Sequence, residues 1–194
     1  MIPPNSLRDQ IYSLTKPIHD RLDGDPDSVR AIQPTATRDD FVHLLKRTYG
    51  FVKPVEEALV AQNKILAPVF KFETRAEIVL EDLRVLGVRV AGLPVMSSTP
   101  TIQTVGHAMG VAYVLEGSKM GGLVIAKQVS RFSGIESRFF LPGEPKSVVK
   151  EFQAFCAKLD VFARCECDER DAVDAAIETF ALIDAWFVAT RQRR

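Results

Sequence analysis

Tyr113-Val-Leu-Glu-Gly-Ser-Lys-Met-Gly-Gly-Leu-Val-Ile-Ala126 is the stretch whose reading decides the fold. It lies inside the longest apolar-rich segment of the chain, about residues 101–129, which also holds Gly106 and Gly110. Each interior glycine weakens a helix by about 1 kcal/mol relative to alanine, so a helix that keeps five must use them. Gly117 and Gly121 are four apart and share a face, with Gly122 beside them. The three together cost roughly 3 kcal/mol of helix propensity. In return, backbone can come within van der Waals reach of another surface. That surface is either a second helix or a flat, rigid ligand. No Gly-x-Gly-x-x-Gly and no phosphate-loop pattern is present, so the glycines give no support to nucleotide binding.

Outward from this segment the chain reads as helix nearly throughout. Leu7, Ile11, Leu14, Ile18 and Leu22 recur at intervals of three and four and predict a buried stripe on a first helix. Ser6 would cap it with Asp9 three residues on, Pro3 and Pro4 precede it, and Asp23-Gly24-Asp25-Pro26 would end it. Thr37 and Asp40 open a second helix, which Pro54 should kink or divide. A third periodic stretch covers 74–86, with Gly87 as a stop. Residues 88–96 are apolar, but Gly92-Leu93-Pro94 and the lack of a partner strand favour a buried connection. A Gly- and Pro-containing stretch at 133–143 is too short for a domain linker, and closing helices are expected near 147–162 and 171–190. The expectation is an all-α fold of six to eight helices forming one domain over residues 1–194.

Composition sets the outer bounds. At 194 residues the chain can bury one good core. Hydrophobic residues at 46% and charged residues at 26% are ordinary for a globular protein. Basic and acidic residues both number 25, so no long-range field favours nucleic acid, and the basic end Arg191, Arg193, Arg194 reads as solvated surface. No window reaches the length of a membrane span and the start lacks a signal-peptide pattern, so a cytoplasmic location is expected. Cys156, Cys165 and Cys167 are odd in number and lack the spacing of a thiolate zinc pair, which predicts free thiols.

On the first helix, Thr15, His19 and Tyr12 fall at about 80°, 120° and 140° from Leu7, on the flank of the apolar stripe. A side chain there can line a cavity while its helix packs on the core. His19 is therefore either a boundary histidine or an imidazole ligand to a metal or haem iron. A di-iron site is disfavoured because no Glu-x-x-His occurs before His19, His43 or His107.

Taken together, Leu14-Thr-Lys-Pro-Ile-His19 resembles the N-terminal Thr-x-x-x-His signature of haem oxygenases, and Tyr113-Val-Leu-Glu-Gly-Ser-Lys-Met-Gly-Gly122 resembles their glycine-rich distal helix in its bacterial biliverdin-producing form. Phe41-x-x-Leu44, the run from Tyr49 to Glu56, and the closing helix from Ala176 to Trp186 extend the likeness over nearly the whole chain. The resemblance implies a multihelical haem-oxygenase-like fold with a kinked distal helix. It implies His19 as proximal iron ligand, and Gly117, Gly121 and Gly122 as the distal wall over the haem. Ser118 stands where animal members carry an aspartate that orders distal water. The family commonly pairs a basic residue with a haem propionate seven residues before the histidine, where this chain has Tyr12. A second propionate arginine would fall near Cys156, with Lys158 two positions away. Tyr113 completes the expected haem-binding set.

The implied activity is cleavage of haem, both substrate and cofactor, to biliverdin, carbon monoxide and ferrous iron. It would use dioxygen and electrons from a ferredoxin or flavoprotein reductase, and a bacteriophytochrome or another biliverdin acceptor is a partner to look for. A noncatalytic haem-binding or sensory protein on the same fold is the alternative, with a haem-free helical interaction protein behind it.

Overall fold

The computed structural model describes residues 6–133 and 135–192; Pro3, Pro4, Gly134, Arg193 and Arg194 lie outside the described residues. Among the described residues eight helices follow in order: α1 Leu7–Asp23, α2 Pro26–Ala31, α3 Arg38–Ala61, α4 Asn63–Leu66, α5 Ala76–Val85, α6 Val105–Ser133, α7 Pro145–Leu159 and α8 Glu166–Ala189. No strand occurs among the described residues, and 88–96 is an irregular connection; contrary to the expected burial, of its residues only Met96 is buried. No helix among the described residues is long and apolar enough to cross a membrane.

α8 is the hub, packing most extensively on α6 and next on α1, while α1 and α6 make no comparable contact with each other. Glycine at positions 106 and 110 makes the α6–α8 approach possible. A Cβ on Gly106 would lie 2.4 Å from the Asp168 carbonyl oxygen, and one on Gly110 would lie 2.1 Å from that of Ala172. The helix-packing use of glycine therefore belongs to this N-terminal half of α6.

Local chemistry sets the helix ends. Ser6 Oγ accepts from the Asp9 amide at 3.2 Å, and Thr37 and Asp40 form a reciprocal capping box. α5 is capped from a distance, because the Glu56 carboxylate of α3 accepts the Arg75 and Ala76 amides at 2.9 Å. The expected division at Pro54 does not occur. Proline there cannot donate to the Gly50 carbonyl, and the Met96 amide takes that acceptor at 2.9 Å, so α3 continues and the 88–96 connection is pinned.

Two further expectations are corrected. The buried stripe of α1 is Leu7, Ile11 and Thr15, whereas Leu14 is 55% exposed. Thr15 tolerates burial because its hydroxyl donates to the Ile11 carbonyl at 2.7 Å, which lets the helix rotate its seam away from Leu14. Cys165 and Cys167 are joined as a disulfide, so only Cys156 is a free thiol, and it is buried. Extended backbone at Cys165, followed directly by the first turn of α8, brings the two side chains together with their Cα atoms 5.2 Å apart.

Candidate functional site

α1 presents Arg8, Tyr12 and His19 along one flank of its buried seam. Tyr12 is half exposed. His19 Nδ1 lies 3.2 Å from Asp23 Oδ2, one helical turn on, and the imidazole meets the edge of Phe180 at 5.9 Å between centroids. With Nδ1 donating to the carboxylate, Nε2 keeps its lone pair, the tautomer a metal ligand requires. The sequence marks Asp23 as part of a helix end, and its i, i+4 spacing from His19 is the signal that pairs the two.

α1 and α6 both run alongside α8 in its own direction. Gly106 meets Asp168 and Gly110 meets Ala172, an offset of 62 residues, while His19 meets Phe180 and Arg21 pairs with Asp184. At an equal rise per residue, that offset carries Gly117–Gly121 of α6 to the level of residues 179–183, which is the level of His19. Here the glycines change character. A Cβ on Gly121 would meet nothing within 4 Å, and one on Gly117 would only touch the Phe152 ring at 3.7 Å. Gly122 faces inward, where a Cβ would lie 3.0 Å from the Phe140 carbonyl.

Tyr113 is buried, and its ring lies 6.1 Å from that of Phe152. Burial chiefly pushes its phenol up to about 12, and the nearby charges that modify this belong to Cys156, Arg8, Tyr12 and Asp9. Burial likewise pushes the Cys156 thiol up to about 11, with Arg8 pulling it back. Tyr113 thus feels the charges of Cys156, Arg8 and Tyr12, and Cys156 that of Arg8. Lys158 is not among these charges. That ammonium lies 5.7 Å from the centroid of Phe70, and two residues along α7 turn it about 200° from Cys156. Lys16 is paired with Asp20 and Lys119 with Glu116, both at 2.6 to 2.8 Å.

Ser118 points toward α5. Its hydroxyl donates to the Leu115 carbonyl at 2.6 Å and accepts from Arg75 Nη2 at 3.1 Å. Arg75 also donates to the Leu115 carbonyl and lies over the Phe139 ring. Burial pushes the Arg75 guanidinium down and the Glu56 carboxyl up, against the pull of each on the other. This buried group backs the glycine segment, and nothing in local sequence spacing marks it. Two cavities lie elsewhere, one of about 440 Å³ between α3 and α5 and one of about 370 Å³ on α7. Neither is lined by His19 or Gly121, and the space beside Gly121 is open.

The residue types fit a haem: His19 offers an exposed imidazole, Gly117 and Gly121 leave part of α6 without side chains, and the aromatic rings of Phe152 and Phe180 lie on α7 and α8. No family model matches the chain, and no curated protein matches it. Among solved structures it is similar to the heme oxygenase of Neisseria meningitidis, determined in NO- and CO-bound forms. The TM-score is 0.74 at 23% identity, covering 95% of this chain and 92% of that one. At that identity the likeness establishes the fold, which is the all-helical one of that protein.

Proposed function

We propose that the chain is a haem oxygenase, acting as one helical domain in the cytoplasm, that cleaves haem to biliverdin, carbon monoxide and ferrous iron. The reading rests on the exposed imidazole of His19, which meets Phe180 of α8, and on the open face at Gly121, which the α6–α8 offset, continued along the helix, would carry to the same level. In this reading His19 Nε2 would hold the haem iron, and Asp23 holds the opposite ring nitrogen. Gly117 and Gly121 leave backbone where side chains would block a flat macrocycle, while Tyr113 and Phe152 supply an apolar wall. Arg8 takes the role of propionate partner and Tyr12 adds a neutral hydrogen bond, which accounts for the absence of a basic residue at Tyr12 and Cys156. Bound haem supplies both the ring to be opened and the iron that activates dioxygen. Electrons come from a ferredoxin or a flavoprotein reductase.

The orientation of Ser118 favours a second reading. Its hydroxyl is committed to Leu115 and Arg75, which suits a haem-binding or sensory protein that does not turn over. A haem titration followed by dioxygen and a reductant separates the two. We expect a Soret band at one haem per chain and then biliverdin absorbance. Binding without biliverdin selects the sensory reading, and no Soret change overturns both.

A further inference from the structure

We propose that Cys165 and Cys167 are a redox-active dithiol–disulfide pair that exchanges with small thiols of the glutathione class. The pair stands at the first turn of α8, about 15 residues and roughly 20 Å along the helix from the level of His19.

Four observations carry the assignment. Both cysteines are exposed, so an attacking thiolate can reach either sulfur, whereas Cys156 is buried. The bond spans a single intervening residue. The constraint that a disulfide places on the unfolded chain grows with loop length, so this one contributes little to holding the fold. Its backbone frame is held by other means. The Arg164 amide donates to Asp168 Oδ2 at 2.8 Å, and the Asp168 amide donates to the Cys165 carbonyl at 3.1 Å. Finally, the Asp168 carbonyl is seated against Gly106 of α6, where no side chain would fit. Reduction therefore leaves the two sulfurs on a turn that stays in place, ready to close again.

In the reductive direction an external thiolate attacks one sulfur, and the S–S electron pair leaves on the other, which takes up a proton. A second external thiolate then attacks the external sulfur of the mixed disulfide. The products are the Cys165/Cys167 dithiol and one small-molecule disulfide, a transfer of two electrons and two protons. Oxidation by a small-molecule disulfide is the reverse.

The test equilibrates the full-length protein in glutathione buffers from mostly reduced to mostly oxidised. Each sample is acid-quenched, denatured and labelled with N-ethylmaleimide for mass measurement. The expected result is a reversible change from one label per chain, on Cys156, to three, and a mixed glutathione adduct on either Cys165→Ser or Cys167→Ser. A pair that keeps its disulfide across the whole range, or that stays fully reduced, overturns the proposal. So does a reduced protein that takes up Zn2+ through these thiols and no longer reoxidises. The wild-type titration needs no variant to fold.

Discussion

His19 earns its place through its neighbour. Asp23 can fix the imidazole tautomer from one turn away, yet both side chains are substantially exposed, so the pair is screened and contributes orientation more than binding energy. Under the proposed function His19→Ala should abolish the imidazole-ligated haem spectrum, and added imidazole should restore it. Asp23→Asn should keep the spectrum while weakening haem affinity about threefold to tenfold. Unchanged spectra in His19→Ala would remove this residue from the site. Arg8 is the cation that acts on both Tyr113 and Cys156, so Arg8→Ala should weaken haem binding by about threefold to tenfold, the loss of one partly exposed charge-assisted hydrogen bond. Lys158→Ala should leave that affinity unchanged, since its ammonium lies over Phe70. Haem titrations of the two variants side by side decide which cation matters.

At the scale of the element, α6 is one helix with two uses of glycine, and substitution separates them. Alanine at Gly106 or Gly110 would press a Cβ into the α8 backbone, so each should lower unfolding stability by about 1–3 kcal/mol. Alanine at Gly121 meets nothing, so it should gain about 1 kcal/mol of helix propensity in the haem-free protein. Gly121→Leu should fold equally well and lose haem binding. Urea unfolding of the haem-free variants checks the first pair of statements, and a loss of stability in Gly121→Ala would show that its face is not open. The contrast also explains what the sequence could disclose. Glycine spacing marks a face, and periodicity with caps at Thr37 and Ser6 marks helices, because both are local. Which glycine meets α8 and which meets solvent depends on the distant residues Asp168 and Ala172. The continuity of α3 through Pro54 depends on an amide at Met96. The rotation of α1 that exposes Leu14 depends on how Thr15 satisfies itself. The direction of Ser118 depends on Arg75, 43 residues earlier.

The whole molecule is closed by a second buried charge group. Arg47, 2% exposed, binds both carboxylate oxygens of Asp25, donates to the Phe187 carbonyl and Thr190 hydroxyl, and stacks on the Phe187 ring, so it ties α2 and α3 to the end of α8. Burial alone would raise the Asp25 carboxyl, but the hydrogen bonds from Arg47, Ser28 and Arg191 outweigh it and hold the group at about 2, below its ordinary 3.8. Ionised Asp25 therefore favours the fold by about 2 kcal/mol above pH ~4, a contribution lost as pH falls from ~4 through ~2. His43, beside Asp27 in the same group, is lowered from 6.5, chiefly by burial. The unfolded chain then takes up that proton first, so stability also falls as pH drops below about 6.5. Glu56, raised by burial, has the opposite sign: the fold gains stability as this carboxyl is protonated, which offsets part of the two losses. Unfolding free energy measured from pH 7 down to pH 2 should show both losses, and His43→Gln should delete the upper one alone. Arg47→Met should cost about 3 kcal/mol at pH 7, because it removes the bidentate partner of a buried carboxylate and leaves it only Ser28 and Arg191, and should flatten the lower loss. If Arg47→Met keeps the wild-type acid profile, Asp25 does not owe its ionisation to Arg47, and the closure of the fold through this pair is wrong.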